Sequence, residues 1–507
     1  MRLRPSALAL LALFAACGGG DGGSTDGGSN VCNPTDGGAL SCATSPAQSS
    51  TAAPTSILFH GEVAVGGSAT FKVPLNTASL TVIEQAVDAP DSIVASGATI
   101  DNVAVPRLVE VKDASGVTHT LYDDSKDDGA FSGTTTDPTQ IEQLPAFFFS
   151  DSPSTGTLTL PNTTGGLALV GPQGLPAGQA TVVVSDYAYA CSSIAGCCGG
   201  SNTSTYDVTV IAKPLVSGAI PSQGTLDLNL YFVANKACVP GNTSSCPALS
   251  EASAPSDTDL QRMLSTLSYV LGKAGITLGN VNYVDATPKV QTAYANGVSV
   301  DSTGACAPLA QLLQTSQGGN AMNLFLVPSI NANGLPAGDS VVGVDGTIPG
   351  PSTVGGTVAS GAIVSVADLR ANEASCTGTP VFDPTSGACG ADITAYVAAH
   401  ETGHFLGLYH VTEMSGTEFD PLAGTARCAC QSCAPVASRF RCADATPPPP
   451  PSTAYAMRAG DCTAVGADVS TGCGGGQDLM FWLLDAGAEG TLTADQQSVI
   501  HANPLVY

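Results

Sequence analysis

Hydrophobic and polar positions change rhythm twice along this chain. From Ile57 to about Pro214, apolar residues come in short runs such as "ATFKVPL", "SLTVIEQ", "RLVEVKD", "LALVG", "ATVVVSDYAYA" and "YDVTVIA". Several of these alternate apolar with polar residues, which sets one face of a strand on a core and the other toward water, and turn residues separate them. The pattern predicts an antiparallel β-sandwich over residues 56–215.

After Pro214 the period lengthens. "TLDLNLYFVA" reads as a strand, and "SDTDLQRMLSTLSYVLGKAGI" places Leu260, Leu264, Leu267 and Leu271 at helical spacing behind a Ser or Asp cap. "VNYVDA", a short helix around "APLAQLLQTS", and the strands "NLFLVPSI" and "GAIVSVADL" follow. The helix "DITAYVAAHETGHFLG" comes next, with Asp392 as its cap and Ile393 to about Leu406 as its body. Strands alternating with helices predict an α+β unit, a mixed sheet plus helices, within residues 216–507. Residues 413–478 are cysteine-rich, contain "PPPPP" and show little periodicity, so an irregular disulfide-stapled subdomain is expected there. Thr493 is placed to cap a closing helix.

Charge narrows the partners. Lys and Arg number 16 against 42 Asp and Glu, a net charge of -26, so the surface repels phosphate backbones and no nucleic acid is expected to bind. The first residues, "MRLRPSALALLALFAACGGG", put Arg2 and Arg4 before an apolar run far shorter than the roughly 20 residues a membrane-spanning helix needs. Residues 1–17 therefore read as a signal peptide. The "FAAC" ending resembles a bacterial lipobox, which implies lipidation of Cys17, a membrane anchor, and an outer-membrane lipoprotein facing the periplasm or the cell exterior, with plain secretion as the alternative. Residues 18–55, rich in Gly, Ser, Thr and Asp, cannot bury a core and read as a tether. Removing Cys17 from seventeen cysteines leaves an even number, and export favours disulfides over thiol-bound zinc, including for Cys428, Cys430, Cys433 and Cys442. The acidic loop Asp123–Gly129 breaks the EF-hand pattern at Ser125 and Lys126 and reads as a solvated turn.

The candidate chemistry lies in "HETGHFLGLYH", residues 400–410, which holds three of the six histidines. His400 and His404 are four apart on a helix, roughly 5 to 6 Å from each other, and can grip one ion from one side. Gly407 permits a sharp turn at the helix end that carries His410 back to the same ion. Three neutral imidazoles leave a fourth position for water, the arrangement of a catalytic zinc. Glu401 adjoins the first ligand and is placed to take that water's proton and pass it to a leaving amine.

At every fixed position the segment matches HExxHxxGxxH, and the chain resembles the metzincin zinc metalloproteases. The resemblance implies a metzincin-like catalytic domain, a zinc-dependent endopeptidase activity on proteins or peptides, and a Met-turn beneath the histidines, for which Met480 in "GGGQDLMFWLL" is the residue. Within that group the chain is most similar to the pappalysin-type branch, through "FDPLAGTARC", the crowding of cysteines and "TLTADQQ". Many relatives have Tyr two residues after the Met; Trp482 stands there, so the resemblance leaves more of the oxyanion stabilisation to zinc. Calcium is the further candidate ion, with no residues matched to it. Gly343–Gly361 falls where the resemblance implies an edge strand and cleft rim. A thermolysin-like ligand set would need Glu413 or Glu418 on a separate later helix, and neither has one. The alternative function is a lipid-anchored adhesion or glycan-binding protein with a weak or inactive protease domain. The sandwich is open to two readings, a binding module or a removable pro-domain over the zinc.

Overall fold

The computed structural model describes residues 55–87, 93–95, 98–124, 142–145, 155–192, 196–200, 205–242, 245–301, 307–333, 340–382, 387–411, 420–425, 477–482, 484 and 489–507. Cys17, residues 18–54 of the tether, most of the acidic loop, the four clustered cysteines, Glu413 and Glu418 lie outside the described residues.

Among the described residues the first half contains ten strands: β1 (Ser56–Ala64), β2 (Ser68–Val73), β3 (Thr77–Ala86), β4 (Ile93–Ala95), β5 (Ala98–Asp113), β6 (Thr118–Asp123), β7 (Thr155–Leu160), β8 (Gly178–Ser192), β9 (Gly196–Gly200) and β10 (Thr205–Pro214). They form two antiparallel sheets, β1-β10-β3-β7 and β2-β8-β5-β4, with β6 on β5 and β9 on β8. Val82, Leu158 and Val208 of the first sheet share one core with Phe71, Val109 and Val182 of the second, as the alternation in the sequence requires. One run differs from expectation. "LALVG" enters a short helix, α1 (Thr164–Ala168), rather than a strand, because Thr163 accepts from the Gly166 N–H at 2.9 Å and starts a helical turn.

Strand β3 is buried on both faces over most of its length, which a two-layer sandwich alone does not explain. Its outer face meets the C-terminal end of the chain: Ser79 Oγ donates to the Ala502 carbonyl at 2.6 Å. Lys213, at the end of β10, is buried and donates to the carbonyls of His501, Asn503 and Val506. The two halves are thus joined through backbone carbonyls at and just beyond the end of the closing helix.

The second half is built on β11 (Gly224–Phe232), β12 (Ile276–Asp285), β14 (Ala321–Val327), β16 (Gly343–Asp345) and β17 (Ala362–Ser365), with β13 (Val298–Ser299) and β15 (Ile330–Asn331) paired apart. The sheet order is β12-β11-β14-β17-β16; the first four are parallel and β16 lies antiparallel at the edge. Helices α2 (Thr258–Lys273), α3 (Pro288–Ala293), α4 (Pro308–Leu313), α5 (Gly390–Phe405) and α6 (Ala494–Ala502) complete it. Leu228, Leu230 and Phe232 meet the apolar faces of α2 and α5 in one core, while Tyr231, Phe325 and Ile363 pack with Val290 and Leu312 in another, so the sheet is covered on both sides. Asp257 caps α2 through the Leu260 N–H at 3.0 Å, and Thr493 caps α6 with a complete capping box to Gln496.

The start of α5 differs from the sequence reading. The helix begins at Gly390 behind Cys389, so Asp392 is not its cap but lies inside its first turn. Asp392 instead ties α5 to α2, because Arg262 Nε and Nη2 donate to its two oxygens at 2.7 and 2.8 Å and Thr266 Oγ1 donates at 2.6 Å. A disulfide between Cys376 and Cys389 fixes the segment entering α5, and a second joins Cys238 to Cys246.

Asp392 is buried, so removing its partner strands a charge. Arg262→Met is expected to destabilise the protein by about 3 kcal/mol. Adding Asp392→Asn to that variant is expected to recover part of the loss; urea unfolding of the three proteins checks both.

Candidate metal centre

Helix α5 is buried along its entire length, which is unusual for a segment carrying two histidines and two acids. His400 and His404 lie on one face with ring centroids 4.6 Å apart and planes at 87°. The helix stops at Leu406, and Gly407 takes a φ of 114°, a conformation that L side chains rarely adopt. Space is not what demands glycine there, since an added Cβ would meet nothing closer than 3.5 Å. The turn closes with the Leu408 N–H on the Gly403 carbonyl at 2.9 Å and delivers His410 to the other two rings, at centroid distances of 5.2 and 4.8 Å.

Two carbonyls orient the first two rings. His400 Nδ1 lies 2.6 Å from the Leu479 carbonyl and His404 Nδ1 lies 2.7 Å from the Leu408 carbonyl. A carbonyl only accepts, so each Nδ1 carries the proton and each Nε2 presents a bare lone pair. His400 Nε2 faces His410 Nε2 at 3.2 Å, while His404 Nε2 is buried with no hydrogen-bond partner. One ligand atom from each of the three residues falls within 4.8 Å of the others. Burial pushes His400 down to about 3 and His404 well below the usual imidazole range, with neighbouring rings adding to both shifts. The neutral rings of His400 and His404, converging with His410, fit a shared divalent cation, and three imidazoles are a donor set suited to zinc. The pinning of Nδ1 by backbone carbonyls is the outer-shell support such ligands require.

Met480 lies beneath this cluster, fully buried. A Cβ on Gly403 would come within 2.5 Å of Met480 Sδ, so the sulfur rests on the bare backbone of α5 between the two helical histidines. The turn that carries it is held on three sides. Leu479 accepts from His400, the Met480 carbonyl accepts from the Val411 N–H at 3.1 Å, and the Met480 N–H donates to Asp478 Oδ1 at 2.8 Å. Trp482 is buried in the surrounding core.

Glu401 is buried, and its carboxyl group lies against the backbone of Gly343 on the edge strand β16. Burial holds its pKa well above the usual carboxylate range. Asp345, two residues along β16, is also buried, and burial followed by the charge of Glu401 raises its pKa well above normal. The structure thus brings His400, Glu401, His404, Gly407, His410 and Met480 together. The sequence reading missed Gly403, Gly343, Asp345, Asp478 and the two orienting carbonyls. A glycine inside a helix costs about 1 kcal/mol, and one inside a strand suggests a close approach, so Gly403 and Gly343 carried a legible signal. The carbonyls carried none, because every residue has one.

No family model matches the chain, and no curated protein does. Among solved structures it is similar to metalloproteinase-II from Bacteroides fragilis, at 12% identity and a TM-score of 0.20, over 40% of this chain and 49% of that one. The chain therefore spans about half the length of that protein, too slight a likeness to bear on fold or activity.

Asp478 offers a test of the turn. Burial raises its pKa from 3.8 to about 7, against the pull of its bonds from Met480 and Gln496. The folded state holds this proton more tightly than the unfolded chain, so the group's contribution to stability falls as pH rises from 3.8 to about 7, at up to about 1.4 kcal/mol per pH unit. Asp478→Asn keeps an acceptor for the Met480 N–H and removes the charge. Urea unfolding across that range is expected to show a stability decline in the parent that is shallower in the variant; equal slopes would contradict the assignment.

Proposed function

We propose that this chain is a zinc-dependent endopeptidase of the metzincin type, nearest the pappalysin-like branch, that hydrolyses peptide bonds in proteins. The carrying observation is the convergence of three buried imidazoles, two with carbonyl-fixed Nδ1 protons, beside a buried carboxyl group. His400, His404 and His410 would hold the ion. Bound zinc would polarise the scissile carbonyl and acidify a water.

The chain's own residues do the rest. Glu401, with its pKa raised by burial, is suited to take a proton from the attacking water and return it to the departing amine, since a base is most effective when its pKa approaches the working pH. Met480 and Gly403 close the space below the rings and exclude water from that side. Strand β16, though buried, ends the described sheet, and an extended peptide substrate would add beside it as a further strand.

Residues 1–17 and Cys17 belong to the same proposal as an export signal and lipid anchor, giving an outer-membrane or secreted protein; among the described residues no helix is long and apolar enough to cross a membrane. The sandwich is a binding module or a removable pro-domain in this reading; its hydrogen bonds to the second half include those to Pro421, Ala423, Asp495, His501, Ala502, Asn503 and Val506.

Purified protein is expected to bind about one zinc per chain and to cleave an unstructured protein in a chelator-sensitive manner. Glu401→Gln is expected to keep the zinc and lose cleavage by about 10²- to 10⁴-fold. One zinc per chain with no chelator-sensitive cleavage in the parent would contradict the protease reading and favour an inactive, adhesive role.

A further inference from the structure

The edge strand β16 has a glycine that its backbone does not require. Gly343 is not in the left-handed region, and it lies buried within a strand, where glycine weakens pairing and packing. What requires it is space. A Cβ built on Gly343 would lie 2.3 Å from Glu401 Oε1, 2.8 Å from Glu401 Cδ and 2.7 Å from Val397 Cγ1. Separations under about 3 Å are far inside van der Waals contact between carbon and its neighbours. Its neighbour Val344 turns to the opposite side of the sheet, where it packs with Phe325 and Ile363, so Gly343 presents only its backbone to α5.

We propose that Gly343 is a positioning residue for Glu401: its missing side chain forms the slot that sets where the carboxylate stands relative to the three histidines. This rests on the reading of Glu401 as the proton acceptor. The helix cannot yield instead, because α5 is held at its start by Cys389 and by Asp392 with Arg262, and farther along by Met480 against Gly403. Any side chain at 343 must therefore be accommodated by the Glu401 side chain or by Val397. Val397 lies one turn before Glu401 on the same helical face and forms the other wall of the slot.

The test uses the full chain with Gly343→Ala, and with Gly343→Ala combined with Val397→Ala, which clears the second obstruction and leaves only the contact with Glu401. Both variants are expected to retain about one zinc per chain, since the histidines are untouched. Cleavage is expected to fall about 100-fold through kcat, with KM unchanged, the usual scale for misplacing a catalytic group by about 1 Å. The same alanine placed in a Glu401→Gln background is expected to cost little further, because the two changes act on one group.

A readout independent of turnover is the binding of acetohydroxamate to the zinc-loaded protein, measured by calorimetry. Its hydroxyl proton passes to a nearby carboxylate when its oxygens chelate the ion, so both alanine variants are expected to bind it at least about 10-fold more weakly than the parent. Unchanged kcat and unchanged hydroxamate affinity in the double variant, or loss of zinc from it, would overturn the role of Gly343. If the parent cleaves nothing yet its hydroxamate affinity falls with the alanine, the protease reading fails while the slot stands.

Discussion

Three buried imidazoles, two of them with Nδ1 held by a carbonyl and Nε2 left bare, are the constraint around which the second half of this molecule is arranged. Left without a cation, bare lone pairs in a low-dielectric interior repel one another and forgo hydrogen bonds to water. The chain sets them there by committing two backbone carbonyls, Leu479 and Leu408, to the far side of two rings. Each carbonyl depends in turn on a tight feature: Leu408 on the positive φ of Gly407, Leu479 on the turn that Asp478 caps. The turn, the helix end and the ligand directions are therefore one mechanical unit.

That unit needs a rigid helix behind it. Helix α5 is pinned by a disulfide at its entry, by a bidentate ion pair in its first turn and by a methionine sulfur seated on Gly403. The C-terminal helix α6 adds support: Asn503 Oδ1 accepts from Ser352, and the same residues 501–506 receive Lys213 from the sandwich. The sandwich is thereby coupled to the segment that packs behind Gly407, where Val499 lies 3.5 Å from the position a Cβ would take.

Much of this was legible in the chain. The alternation in "ATFKVPL" gave a strand with alternating burial, the Leu260–Leu271 spacing gave an amphipathic helix, and Thr493 gave a capped one, because each rests on local periodicity or capping chemistry. The histidine spacing was legible for the same reason: four residues is a helical turn, and Gly407 marks its end. The rest depends on partners distant in sequence. Asp392 reads as a cap until Arg262 is beside it, 130 residues away. "LALVG" reads as a strand until Thr163 offers an oxygen to the following turn. Gly343 reads only as the start of an edge strand and cleft rim until Glu401 is against it. The sheet order, and with it the edge position of β16, follows from parallel pairings that no local pattern encodes.

The central claim is that His400, His404 and His410 together ligate one ion through Nε2 and leave a single further position. X-ray absorption at the zinc edge of the zinc-loaded protein tests it most directly. The account predicts three imidazole nitrogens at about 2.0–2.1 Å, one additional oxygen and no sulfur. A sulfur shell at about 2.3 Å, or fewer than three imidazoles, would contradict it.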